Sequence, residues 1–231
     1  LIGMEYLFMD DFQNAKYSFM KCLEVDEDDY SALYNVIYCF DFLEQHEEAI
    51  DYLNMFLDKN PYCEVAWHQV GKQYFDLKKY TKALAAYDFA IISDDTFIGA
   101  YFEKGKVLEK LGRYNEAIEN YQITLGLDDP TSFAYLRMGK CYQKLHCDDL
   151  AIEFFLKTVK EDPLLDKGWI AITDFYTKKM GPPTSDADLW EKLKHHITHT
   201  HTMYDHHMHI HVHVITCAFV GKIKTSHAHT R

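Results

Sequence analysis

The chain has 231 residues, 48% hydrophobic and 15% aromatic, with 36 acidic side chains against 24 basic ones and a formal net charge of −12. That balance argues against a general nucleic-acid binder, which needs clustered Lys and Arg to neutralise phosphates. No apolar run is long enough to cross a bilayer, so a membrane partner is not expected either.

Ala15, Ala49, Ala83, Ala117 and Ala151 recur at one constant interval. A fixed period of roughly 34 residues is the mark of stacked helical pairs. In chain order, residues 1–29 read as a partial unit, with Gly3 and Tyr6 on a first helix and Ala15 and Phe19 on a second. Opening at Leu1 inside a helix, without methionine, reads as a fragment of a longer array. An upstream unit would then cover the face of Gly3 and Tyr6. Complete repeats follow at 30–63, 64–97, 98–131 and 132–165, with the first helix of another at 166–180.

Each repeat carries the same columns. An aromatic or leucine comes first (Leu33, Trp67, Tyr101, Tyr135, Trp169), and glycine follows four residues later at Gly71, Gly105 and Gly139, with Ile37 and Thr173 as exceptions. Another aromatic or leucine stands three further on (Phe40, Tyr74, Leu108, Tyr142, Tyr176). These i, i+4, i+7 spacings are the apolar stripe of a first helix. The alanine column, four residues ahead of Phe19, Leu53, Tyr87, Tyr121 and Phe155, is the stripe of a second. Glycine and alanine remove bulk where two helix axes approach, and the aromatics fill the flanks. Pro61, Asp95, Asp129 with Pro130, and Pro163 close the units in one register.

The run Trp67, Val70, Gly71, Tyr74, Ala83, Tyr87, Ala90, with Pro61 one unit back, resembles the tetratricopeptide repeat (TPR). Thr124 and Thr158 depart from it, standing where the family usually has alanine. The resemblance runs from Leu1 to about Met180. It implies an all-α fold, a right-handed superhelical α-solenoid of helical hairpins whose first helices line a concave groove, and a scaffold that binds a protein or an extended peptide there. The inward positions it implies are Val65, His68, Lys72, Phe75 and Asp76, then Gly99, Phe102, Lys106, Glu109 and Lys110, then Phe133, Leu136, Lys140, Gln143 and Lys144. Lys72, Lys106 and Lys140 share one column, so a positive ladder flanked by Phe75, Phe102 and Phe133 is expected, suited to an acidic segment. His68 and Arg137 complete the expected partner-binding set. The lysine–asparagine clamp with which some relatives hold chaperone tails matches only in fragments, such as Asn35 or Arg137 alone, so chaperone-tail binding is not expected.

Charge divides along the chain. Residues 1–180 hold 32 acidic and 19 basic side chains, and residues 181–231 hold 4 and 5. After Gly181, Pro182 and Pro183, residues 184–197 read as a second or capping helix, with Ser185 and Asp188 as its cap and Leu189, Leu193 and Ile197 as its stripe. Eleven of the 14 histidines lie from His195 onward, many alternating, most of them in a tail (198–231) expected to be disordered. His207, His209, His211 and His213 are candidate ligands for zinc, nickel or copper, although no cysteine or carboxylate framework accompanies them. An alternative is aberrant coding, because alternating His and Thr is what a CA dinucleotide repeat encodes.

The six cysteines show no paired spacing, and Cys39 and Cys141 share a column beside the core tyrosines. They read as small apolar residues in a reducing, cytoplasmic setting. No nucleophile elbow, phosphate loop or H-E-x-x-H is present, so neither catalysis nor a cofactor is expected. The alternatives are a recruiting arm of a larger enzyme such as a glycosyltransferase, or metal handling by the tail.

Overall fold

The computed structural model describes residues 2–27, 29–127 and 131–180, and every regular element among them is an α-helix. The 184–197 helix, the 198–231 tail and its four candidate ligands lie outside the described residues. Two compact units divide the chain after Leu127. Unit 1 holds α1 (Ile2–Phe8), α2 (Phe12–Val25), α3 (Tyr30–Phe42), α4 (His46–Lys59), α5 (Glu64–Asp76), α6 (Tyr80–Ser93), α7 (Ile98–Lys110) and α8 (Tyr114–Leu127). Unit 2 holds α9 (Ser132–Lys144), α10 (Asp148–Glu161) and α11 (Asp166–Met180). Helices α3 and α4, α5 and α6, α7 and α8, and α9 and α10 pack in pairs.

Helix ends recur with the period of the alanines, and three of the four first helices α3, α5, α7 and α9 share a side-chain cap. The residue before each first helix is Asp29, Cys63, Phe97 or Thr131. Asp29 Oδ1 accepts the Ala32 N–H at 2.9 Å, Thr131 Oγ1 accepts that of Ala134 at 3.3 Å, and Cys63 Sγ that of Ala66 at 3.4 Å. Each satisfies a backbone donor the first helical turn leaves unpaired. Between the helices of a hairpin one residue adopts a left-handed backbone: Asp10, Glu44, Lys78, Gly112 and His146, with φ between 55° and 75°. Only one of the five is glycine, so four turns hold a conformation that disfavours a Cβ. Helix α4 stops at Lys59 and α10 at Glu161, each two residues before the expected proline. The Pro61 and Pro163 carbonyls then accept the indole N–H of Trp67 and Trp169 at 2.8 and 2.9 Å. Helix α6 stops at Ser93, likewise two residues before the expected Asp95, and in the turn Asp94 Oδ1 accepts the Thr96 N–H at 2.9 Å and the Thr96 hydroxyl at 2.7 Å.

The five period-setting alanines are completely buried. Opposite them, glycine and an aromatic ring interlock. A Cβ built on Gly71 would lie 2.6 Å from Tyr87, on Gly105 2.6 Å from Tyr121, on Gly139 2.5 Å from Phe155 and on Gly3 2.8 Å from Phe19. Ile37 breaks the glycine column, and the residue facing it in register is Leu53 instead of a ring; both are buried in the unit 1 core. A β-branched side chain and a leucine thus fill the space that glycine and an aromatic fill elsewhere. Thr124 and Thr158 are buried but bond to their own helices, at 2.7 Å to the Tyr121 carbonyl and 3.0 Å to that of Phe154, so neither of these hydroxyls is left unpaired. Unit 2 has a core of its own, built from Leu136, Phe155, Trp169, Ile172 and Tyr176 with their neighbours on α9, α10 and α11.

Candidate interaction surface

In unit 1 the first helices α3, α5 and α7 pack in succession. The N-terminal end of the first-helix face is aromatic. Tyr34, Tyr38 and Phe42 of α3 are 44%, 52% and 60% exposed, large apolar areas left to solvent. Phe42 stacks on Phe12 at 3.7 Å with Tyr38 tilted 6.4 Å away. These three occupy the repeat positions of His68, Lys72 and Asp76, one period upstream. Shifting the expected inward set back by one repeat would have found them.

The middle of the face is polar. Lys72 donates to Asp41 Oδ2, and Gln73 Nε2 donates to Asp41 Oδ1 at 2.7 Å. Gln73 is fully buried, and its Oε1 meets His46 Nδ1 at 2.7 Å. Asp76 joins this group, its carboxyl raised above the usual range first by desolvation, against the lowering pull of Lys72 and His46. Asp41, His46 and Asp76 bring three potential metal-ligand atoms within 4.8 Å of one another. The Lys72 ammonium supplies the positive charge at Asp41, and the arrangement is an inter-repeat hydrogen-bond network with Gln73 at its centre.

The lysine column is therefore not a bare ladder in unit 1. Lys72 is engaged by Asp41. Lys106 bonds Glu103 one turn away, at 2.6 and 2.9 Å, and lies 5.6 Å from the Phe75 ring centroid. Phe75 and Phe102 are half-buried, Phe75 against Tyr80 at 5.7 Å and Phe102 against Tyr121 at 5.4 Å. His68 is partly buried, edge-on to Phe97 at 5.3 Å, with its Nδ1 buried and unpartnered. Burial pulls its pKa down to about 4, outweighing the raising effect of Glu103, while Lys72 and Lys106 push the same way as burial. Beside it the Tyr87 hydroxyl is buried without a partner. The equivalent Tyr121 hydroxyl donates to Glu109 Oε1 at 2.5 Å. In the Tyr87 repeat the position of Glu109 is taken by Phe75, which cannot accept. Val65 does not line the face; it is buried in the core.

In unit 2 the expected residues lie on α9. Phe133 is 48% exposed and Lys140 is exposed, Arg137 is half-buried, and Leu136 is a core residue rather than a surface one. At the far end of α9 a cleft of about 480 Å³ opens toward α11.

Among the described residues no helix is long and apolar enough to cross a membrane. Tetratricopeptide repeat family models match residues 1–29 and 98–123, and, by a second model of the same description, 31–61. No curated protein matches the chain. Among solved structures, that of MamA is similar at 23% identity, over 71% of this chain and 95% of that one, with a TM-score of 0.61. A tetratricopeptide repeat protein from Parabacteroides merdae is similar at 16% identity, over 98% and 84%, with a TM-score of 0.67. A chain of the APC/C hetero-tetramer Cut9–Hcn1 is similar at 18% identity over 79% of this chain and 36% of that one, with a TM-score of 0.58.

Proposed function

We propose that this chain, a tetratricopeptide repeat protein, is a scaffold that docks an extended segment of a partner protein along its first-helix face and performs no chemistry on it. The observation that carries the reading is the row of solvent-exposed rings Tyr34, Tyr38 and Phe42 running into the polar groups of α5 and α7. A stable monomer gains nothing from three adjacent exposed aromatics, whereas an extended ligand buries them. Lys72, Lys106 and Lys140, with His68, Phe75, Phe102, Phe133 and Arg137, are the proposed contacts. An acidic segment fits them because its carboxylates can replace Asp41 and Glu103 on Lys72 and Lys106, both partly open to solvent. The hetero-tetramer Cut9–Hcn1, whose fold one similar chain shares, supports assembly with a protein partner as the use of this architecture. The cysteine pattern supports a reducing, cytoplasmic setting.

The test is co-purification of the partner with Lys72, Lys106 and Lys140 changed together to Gln. Loss of the partner at unchanged helicity is expected, and undiminished capture would remove these lysines from the interface.

A further inference from the structure

We propose that the cleft between the ends of α9 and α11 in unit 2 is where carboxylates of the partner segment are read, an inference that rests on the acidic-segment reading above. The cleft encloses about 480 Å³, room for two acidic side chains. Lys144 ends α9, His146 lies in the turn after it, Asp148 opens α10, and Phe175, Lys178 and Lys179 come from α11. Three ammonium groups therefore meet one carboxylate, and Asp148 is already held by Lys179 at 3.1 Å. Lys144 and Lys178 have no acidic partner among the described residues, in contrast to Lys72 and Lys106. Three lysines against Asp148 leave two positive charges at the cleft, inside an array that is strongly acidic from Leu1 to Met180.

A helix C-terminus favours lysine through the macrodipole, which accounts for each of these residues singly. It does not account for the ends of α9 and α11 lining one hollow together with three lysines. Phe175 is 5% exposed and lies beneath the Lys179 ammonium, 5.5 Å from its ring centroid, fixing that cation over an apolar floor. A cation held over an apolar wall, as Lys179 is, adds to the attraction for carboxylates that the exposed Lys144 and Lys178 supply. A segment with two acidic residues close together would neutralise the site, Lys144 and Lys178 taking one carboxylate each.

The probe is fluorescein-labelled hexaglutamate, followed by anisotropy on the full chain at about pH 8. Wild type is expected to bind, Lys144→Glu/Lys178→Glu to bind at least about tenfold more weakly, and Lys59→Gln/Lys82→Gln, on the second helices α4 and α6, to stay within about twofold of wild type, while Lys72→Gln/Lys106→Gln reports on the groove. Lys144→Gln/Lys178→Gln, which introduces no repulsion, is expected between these limits, and circular dichroism checks that each variant folds. Loss confined to the Lys72/Lys106 variant would overturn the cleft and leave the groove reading standing. Absence of binding by wild type would overturn the cleft, with the partner co-purification deciding the groove separately. Tighter binding of a phosphoserine hexapeptide through the same lysines would overturn the carboxylate assignment.

Discussion

Replacing Gly71 by alanine adds one methyl group at the point where α5 crosses α6. Its Cβ would sit 2.6 Å from Tyr87 Cε1 and 2.8 Å from Cδ1 and Cζ, contacts real carbons do not tolerate. Tyr87 is completely buried and has nowhere to retreat, so the two helices must part or the ring leave its rotamer. Overpacking of this kind costs about 1–3 kcal/mol, while alanine returns about 1 kcal/mol of helix propensity, which leaves a net loss of up to about 2 kcal/mol. Gly126 of α8 is the control, since a Cβ there meets nothing within 4 Å; Gly126→Ala is expected to raise stability by up to about 1 kcal/mol. Urea unfolding followed by circular dichroism gives both values. A second arm borrows the chain's own solution at Ile37 and Leu53: in a Tyr87→Leu background, Gly71→Ala should cost far less than in wild type. Gly71→Ala as benign as Gly126→Ala, or an equal cost in both backgrounds, would refute the interlocking of glycine with ring that builds each hairpin.

The two tyrosines of the same column should respond oppositely to loss of the hydroxyl. Tyr121→Phe breaks a charge-assisted bond to Glu109 and is expected to cost about 1.5–3 kcal/mol, whereas Tyr87→Phe removes a buried group with no partner and should be neutral or stabilising. His68 makes stability depend on pH. Its pKa of about 4 in the fold lies below its unfolded value near 6.5, so the unfolded chain takes up the proton first and stability falls as pH drops from about 6.5 to about 4. The loss approaches about 2–3 kcal/mol, and His68→Gln should flatten that part of a stability-against-pH profile. At the hairpin turns, Lys78→Gly relieves a left-handed backbone and should gain about 0.5–1 kcal/mol, while Gly112→Ala should lose about 1 kcal/mol although its Cβ would meet nothing. Thermal melts of the two variants should therefore shift in opposite directions.

The hairpins were readable in the sequence because each depends on local, periodic facts: a small residue facing an aromatic at a set spacing, an alanine once per repeat, a stop at a fixed place. The left-handed turn residues were not, because Asp10, Glu44, Lys78 and His146 share no side-chain chemistry and only Gly112 announces its backbone. Ile37 read as an exception on its own, although the register that sets Gly71 against Tyr87 sets it against Leu53; what the sequence did not show is that both are buried in one core. The lysine column was legible as a column, but its pairing was not: Asp41 reaches Lys72 from the preceding repeat, and Glu103 reaches Lys106 from its own helix. The exposed rings of α3 were one period from the residues singled out and could have been found by register alone. Two lysines of the unit 2 cleft, Lys144 and Lys178, stand one period apart on successive first helices, so the column was legible, whereas the hollow between them was not.

The central claim, that a partner lies along the first-helix face, is tested most directly by site-specific photocrosslinking. With benzoylphenylalanine at Tyr38 of α3 or Phe102 of α7, one and the same partner should be trapped, and at Ile92, 72% exposed on α6, it should not. A partner trapped from Ile92 and from neither first-helix position would contradict the account.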